Sequence, residues 1–341
     1  MILTNDNKYE ESRRKQLKID EFNSVEHPFM EQLKELGWND DANEVIELKM
    51  QQQPSESFRT SFSEVVLMPK LRKALKQIND FLTDSQIDEV ANRITAYQGG
   101  TLLENNERIF NLLVEGTSVS RNEQTGEQSP SVRYIDFDHP ENNIFTAISQ
   151  FKVAIPGTDH HIIPDIVLFL NGLPIVVVEA KSPKVSEPLS EAIDQLMRYS
   201  EQRGDTGEGN PALFQYNQFL IVTCRNEAKA GTITTHREKY FYRWTDPYPM
   251  TLNDLTHGQS APNDQQRLVA GMLSLQNLLD IIRIFTIFSI NDKGKKIKIV
   301  CRYQQFRAVK KMVKRLQKGK TKEDRGGILW HTQGSGKSLT M

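Results

Sequence analysis

PDIVLFLNGLPIVVVEAK, residues 164–181, decides the reading of this chain. Asp165 opens an apolar strand, Asn171-Gly172 reverses the chain, and Glu179 and Lys181 end a second apolar strand. Near-continuous apolar runs of this kind are strands covered on both faces. Three charged side chains in such company are costly to desolvate without compensation, and a divalent metal with a phosphate supplies it. Ile175, Val177, Glu179 and Lys181 share one strand face because side chains alternate with period two. A plain two-residue Asn171-Gly172 hairpin would set Asp165 opposite Val178 and turn it away from Glu179. A shared metal therefore requires a three-residue Asn171–Leu173 loop or a β-bulge.

The residue types suit metal-assisted phosphodiester hydrolysis. Asp165 and Glu179 offer hard oxygens for Mg²⁺, with the Ala180 carbonyl and waters completing the shell. Lys181 is placed to orient the attacking water or stabilise charge on the phosphate. Gln195 and Tyr199 lie at i and i+4 on the following helix, with Arg198 beside them, placed to orient DNA backbone or the lysine. Glu26, in the first turn of a helix capped by Ser24, is a further carboxylate for the metal. Plainer roles stand beside each: an Asp165–Lys181 ion pair at a sheet end, a packing pair for Gln195 and Tyr199, and a helix-dipole partner for Glu26. His160 and His161 precede the strand and read as loop residues, not ligands.

Working outward, 341 residues suffice for two domains. A hydrophobic content of 38%, a charged content of 26% and a net charge of −1 describe an ordinary soluble protein whose basic surface must be local. Cys224 and Cys301 end apolar runs, which suits buried thiols and excludes a four-cysteine zinc site. No stretch approaches a membrane span and the N-terminus lacks a signal-peptide core, so the chain is expected in the cytoplasm. Residues 1–23 are a polar arm. Helices are expected from Ser24 to Gly37, from Pro69, from an Asp84 cap, and over LLENNERIFNLLVEG to Gly116. Strands are expected in VRYIDFD, IFTAISQFKVAI, QFLIVTC and KYFYRW, with SEPLSEAIDQLMRYS as a helix. A sheet flanked by helices thus fills 24–250, and 251–264 is a linker. NLLDIIRIFTIFSI reads as a buried helix, and Lys293 to Arg325 is strongly basic: a solvated helix face or a phosphate-backbone contact.

The chain ends on a strand, GGILW, followed by HTQGSGKSLTM. Gly336-Lys337-Ser338 occupies the GK[ST] places of a phosphate-binding loop, although His331 stands where the first glycine is usual. The amides of Gly334, Ser335, Gly336, Lys337 and Ser338 would cradle phosphates, with the Lys337 amine on the β/γ-phosphates and the Ser338 hydroxyl on Mg²⁺. Gln305 upstream would read adenine. An acidic Walker-B strand is missing, so hydrolysis of ATP by these residues alone is not expected.

NGLPIVVVEAKSP, EAIDQLMRY, ERIFNLLVEG, RYQQFRAV and WHTQGSGKSLTM together resemble the restriction (R) subunit of type I restriction–modification enzymes, over most of residues 24–341. The resemblance implies an α/β architecture: a PD-(D/E)xK nuclease fold, a mixed sheet flanked by helices, followed over 265–341 by the start of a RecA-like helicase domain. It assigns the nuclease motif to Asp165, Glu179 and Lys181, the helix motif to Gln195 and Tyr199, and the early acidic position to Glu26. It implies Mg²⁺-dependent cleavage of double-stranded DNA after ATP-driven translocation, in complex with methyltransferase (M) and specificity (S) subunits. The chain would then be an N-terminal piece. Two other readings remain: a nuclease–helicase of repair or another defence system, and a non-catalytic DNA-binding or assembly module.

Overall fold

A computed structural model describes residues 21–96, 99–256, 261–330 and 336. A helical passage centred on α1 (His27–Leu33) leads to β1 (Glu44–Ile46), then α2 (Met68–Ile78), α3 (Asp84–Thr95) and α4 (Leu102–Glu115). A small ladder of β2 (Thr117–Ser118) and β3 (Ser131–Val132) precedes β4 (Phe145–Ser149) and the short hairpin of β5 (Val153–Ala154) and β6 (His161–Ile162). Next come β7 (Ile166–Leu170), β8 (Leu173–Ala180), α5 (Pro188–Tyr199), α6 (Pro211–Phe214), β9 (Phe219–Thr223), β10 (Ala228–Gly231) and β11 (Tyr242–Arg243). The last described elements are α7 (Asp264–Leu273), α8 (Leu275–Ile284), the hairpin β12 (Thr286–Ile290) and β13 (Lys296–Val300), α9 (Tyr303–Lys318) and α10 (Lys322–Arg325).

Seven strands form one mixed sheet in the order β1-β4-β7-β8-β9-β10-β11. β7 and β8 are antiparallel and central, and every one of their residues is buried. β8 pairs in parallel with β9, joined by a crossover through α5. The architecture is therefore mixed α/β, with the apolar residues 166–180 at its middle.

The hairpin takes the second of the two geometries that a shared site requires. Asn171 (φ 52°) and Gly172 (φ 80°) form a two-residue turn with both φ positive, as in type I′. Leu170 pairs with Leu173 and Phe169 with Pro174, but Leu168 pairs with Val176, leaving Ile175 as an extra, bulged residue. Pro174 has no N–H to give to the ladder, which makes this the natural place for the bulge. From there Ile166 pairs with Val178, so Asp165 stands opposite Glu179. The bulged Ile175 carbonyl accepts the Gln218 N–H at 2.6 Å, which ties the bulge to the start of β9.

The turn is buried beneath α2. The Asn171 side chain accepts from Ile144 N at 2.7 Å and donates to the Tyr134 carbonyl at 2.8 Å, while Leu67 N–H donates to the Gly172 carbonyl. A Cβ on Gly172 would stand 2.5 Å from the Leu67 carbonyl oxygen and 2.8 Å from Leu71 N. Gly172→Ala therefore meets both a left-handed φ and backbone overlap, and is expected to destabilise the chain by about 3 kcal/mol in urea titration. Gly157→Ala is the control. It has φ 75° and open space around its Cβ, so it is expected to cost only about 1 kcal/mol.

Several sequence expectations need correction. The first helical passage begins before Ser24, at Phe22–Glu26, with Glu21 already in helical conformation, and it closes around Gly37 (φ 90°). Thr83, not Asp84, caps α3 through a reciprocal Thr83–Gln86 box. VRYIDFD is strand only at Val132; beyond it, Asp136 turns the chain by accepting the backbone N–H groups of Asp138 and His139. IFTAISQFKVAI is two strands broken at Gln150. NLLDIIRIFTIFSI is helical only to Ile284; the β-branched residues after Phe285 form β12 instead. His161 lies in β6 rather than in a loop.

Residues 264–300 pack on the sheet-bearing body. Trp38 Nε1–H donates to the Leu273 carbonyl at 2.8 Å, and Gln265 Nε2–H to the Val25 carbonyl at 3.0 Å. The buried Lys298 of β13 donates to Asn106 Oδ1, the Asn217 carbonyl and Gln218 Oε1 at 2.8–3.0 Å. Burial pushes its amine down, while these three neutral oxygens satisfy its three donors. Both cysteines are buried free thiols. Among the described residues, no helix is long and apolar enough to cross a membrane.

Candidate active site

Asp165 enters the site from the residue before β7, Glu179 from near the end of β8, and Lys181 from just beyond it. The Asp165 carboxylate accepts the Ala180 N–H at 2.7 Å (Oδ2) and the Gln150 amide at 3.3 Å (Oδ1). Lys181 Nζ donates to Glu179 Oε1 and to the Ala180 carbonyl, both at 3.0 Å. The carbonyl expected to serve a metal thus accepts from the lysine here. Glu179 is wholly buried with its carboxyl against that of Asp165, and among the described residues no N–H or hydroxyl group donates to its Oε2.

Two more carboxylates converge from the helical passage before the sheet. Glu26 is 3% exposed and accepts the Gln150 amide at 2.9 Å (Oε2). Glu21 accepts the Ser182 N–H at 3.0 Å. Ligand oxygens of Glu21, Glu26 and Asp165 lie within 4.8 Å of one another. Glu26 was expected here; Glu21 and Gln150 were not. A second cluster, His27, Glu31 and Glu47, is more exposed, and Lys34 already bridges its two carboxylates.

Crowding of acids in a dry place raises their affinity for protons. Burial, then the Asp165 charge, pushes Glu26 up to about 8 and Glu21 up to about 7. Burial also raises Asp165 against the opposing pull of Lys181 and the Ala180 N–H. Burial and Asp165 hold Glu179 well above the carboxylate range. Burial works against the Lys181 ammonium, but Glu179, Asp165 and Glu21 outweigh it and keep the amine charged. Fully ionised, the four acids would carry more negative charge than Lys181 can balance, so without a cation they hold protons instead. Such a donor set, all hard oxygens with one lacking a donor, fits Mg²⁺ or Mn²⁺.

Gln195 and Tyr199 meet on α5, where Gln195 Nε2–H donates to the Tyr199 hydroxyl at 2.6 Å and that hydroxyl donates to the Ile163 carbonyl at 3.2 Å. Burial and the nearby Glu179 and Asp165 raise the Tyr199 pKa, so the phenol stays protonated. Glu21, Glu26, Gln150, Asp165, Lys181, Gln195 and Tyr199 line an open groove of about 1370 Å³, whose rim adds Lys49, Lys152, His160, His161 and Arg198, while Glu179 is buried behind them.

At the far end, α9 presents Gln305. Its Oε1 accepts Arg302 N–H at 2.7 Å and its Nε2–H donates to the Gly336 carbonyl at 2.9 Å. Gly336 has φ 81°. Gly334, Ser335, Lys337 and Ser338 lie outside the described residues. In the basic stretch, Arg307, Lys310 and Lys296 pair with Asp246, Asp280 and Glu107.

The model of the type I restriction enzyme R protein N terminus matches residues 18–239, which include every carboxylate of the site. The chain belongs to this family. The SWI2/SNF2 ATPase model matches residues 304–341, from Gln304 through the glycine-rich loop. The chain is 31% identical over 322 residues to the HindI endonuclease subunit of Haemophilus influenzae, covering 94% of this chain and 29% of that one. It is 28% identical over 348 residues to the MjaIXP subunit of Methanocaldococcus jannaschii, named as a type I restriction enzyme endonuclease subunit, covering 96% of this chain and 31% of that one. The MjaVIIIP subunit of the same organism is 31% identical over 288 residues, covering 82% and 26%. The chain thus spans under a third of the length of these relatives.

Proposed function

We propose that this family member is the Mg²⁺-dependent DNA endonuclease part of a type I restriction enzyme, built on the PD-(D/E)xK fold and joined to the start of an ATP-driven motor. The observation that carries the reading is the cluster of Glu21, Glu26 and Asp165 carboxylates in a groove rimmed by lysines and histidines, with the buried Glu179 carboxyl against Asp165 behind it. Asp165, Glu26 and Glu179 would hold the metal, with Glu21 completing or supporting that set and the Ala180 carbonyl joining it once Lys181 leaves that oxygen for the phosphate. Bound Mg²⁺ would polarise the scissile phosphate and make a water beside it more acidic.

The chain's own residues do the rest. Lys181, kept protonated by its neighbours, would lie against the phosphate and stabilise the charge that develops on it. The Tyr199 hydroxyl, held by Gln195 and the Ile163 carbonyl, fixes α5 to the residues just before Asp165 and holds Arg198 at the groove rim. Lys49, Lys152, His160 and His161 would follow the backbone of double-stranded DNA. The proposed domains are the arm at 1–23, whose last residues from Glu21 fold into the site, the nuclease domain at 24–250, a linker at 251–264 and the motor from 265. The Gln305 bond to Gly336 would set the phosphate loop for ATP. Methyltransferase and specificity subunits are the proposed partners, in the cytoplasm.

Lys181→Met tests the assignment in the full-length subunit assembled with its partners. Cleavage with Mg²⁺ and ATP is expected to fall by roughly 10²–10³-fold while Mn²⁺ binding persists. Cleavage at the parental rate would remove the lysine from the reaction.

A further inference from the structure

β4 ends at Ser149, and the next residue carries a conformation that its side chain does not favour. Gln150 has φ 51°. Asn, Asp and His are enriched among non-glycine residues in this region, and glycine adopts it without strain. The fold alone thus gives no reason for glutamine here. Its contacts do. Gln150 N–H donates to the Asp165 carbonyl at 2.7 Å, which fixes its backbone to the start of β7. Its Nε2 then donates both to Glu26 Oε2 at 2.9 Å and to Asp165 Oδ1 at 3.3 Å.

We infer that Gln150 is the positioning residue of the metal centre, the amide that holds the Glu26 carboxylate of the N-terminal helical passage against Asp165 of the sheet. This rests on the proposed metal site and deepens it. Glu26 and Asp165 come from segments that share no strand ladder, and their carboxylates repel each other. An N–H placed between the two oxygens offsets that repulsion and selects the Glu26 rotamer that faces the site. A cation then meets ligands already gathered. Without the amide, Glu26 is free to turn toward the solvent of the groove it lines.

Gln150→Gly separates this role from a purely structural one, because glycine relieves the positive φ while deleting the amide. In the 341-residue chain, the melting temperature is expected to stay level or rise. The Mn²⁺ dissociation constant by calorimetry is expected to weaken roughly 10–100-fold, the usual effect of losing a partner that orients a ligand. Glu26→Gln should also weaken binding, and the double variant should lose clearly less than the sum of the two single losses, since Gln150 acts mainly through its shorter bond to Glu26. Parental affinity in Gln150→Gly, or full additivity in the double variant, would overturn the inference while leaving the metal site standing. An absence of Mn²⁺ binding in the parent, with the same result in Asp165→Ala, would overturn the metal site and this inference together.

Discussion

Asp165→Asn is expected to lower DNA cleavage by roughly a thousandfold or more in the assembled enzyme, while the metal-free chain becomes no less stable than its parent. The two effects have one cause. Asp165 is the charge that raises Glu21, Glu26 and Glu179 together, and it is itself raised by burial. The asparagine keeps an acceptor for the Ala180 N–H and so preserves the β7–β8 junction. It removes a buried charge from among three other acids, which relieves the folded state. The same change deletes the one carboxylate common to the β7–β8 pair and to the Glu21–Glu26 cluster. Functional sites commonly trade stability for chemistry in this way. Cleavage assays and calorimetric melting read the two effects separately. Loss of cleavage with a large fall in melting temperature would instead mark Asp165 as a structural residue.

The second large effect is on pH dependence. Glu26 and Glu21 titrate at about 8 and about 7 in the folded chain, against 4.5 for the ordinary group. Between those limits the folded state holds more protons than the unfolded state, so metal-free stability falls as pH rises from about 5 to 8. For Glu26, which is nearly fully buried, the loss is on the order of 3 kcal/mol. Lys181 does not oppose this trend, because a raised amine loses its contribution only above its ordinary 10.5. A bound cation displaces those protons, so Mn²⁺ affinity rises over the same range and binding near pH 7 releases roughly one to two protons. Urea titrations at pH 5 and 8, with calorimetry in buffers of different ionisation enthalpy, measure both quantities. Stability that is flat or rising over this range, or binding without proton release, would contradict the electrostatic account.

The centre of the fold is legible in the sequence because it depends on local chemistry. Asn-Gly between two apolar strands specifies the hairpin, and Pro174 marks where the ladder can accept an extra residue. The expectation that Asp165 and Glu179 share a face then calls for a bulge, and one stands at Ile175. The helix ended by Gly116 is equally local, since that glycine has φ 78°. Features set by distant contacts are not legible. β1 is three half-buried residues, and only its pairing with β4 makes it a strand. Glu21 lies in a polar stretch that gives no sign of folding back on Ser182. Gln150 carries no local signal at all, because its partner Glu26 is 124 residues away. The helix-like apolar run after Asn277 conceals β12, whose strand character comes from pairing with Lys296–Val300.

The central claim is that these carboxylates form one metal centre. Calorimetric titration of Mn²⁺ into the intact chain, beside Asp165→Ala and Glu179→Ala, tests it most directly. Saturable binding in the parent that disappears in both variants is the expected result. No binding in the parent, or binding that survives both substitutions, would contradict it and leave Asp165, Glu179 and Lys181 as a buried ion-pair network.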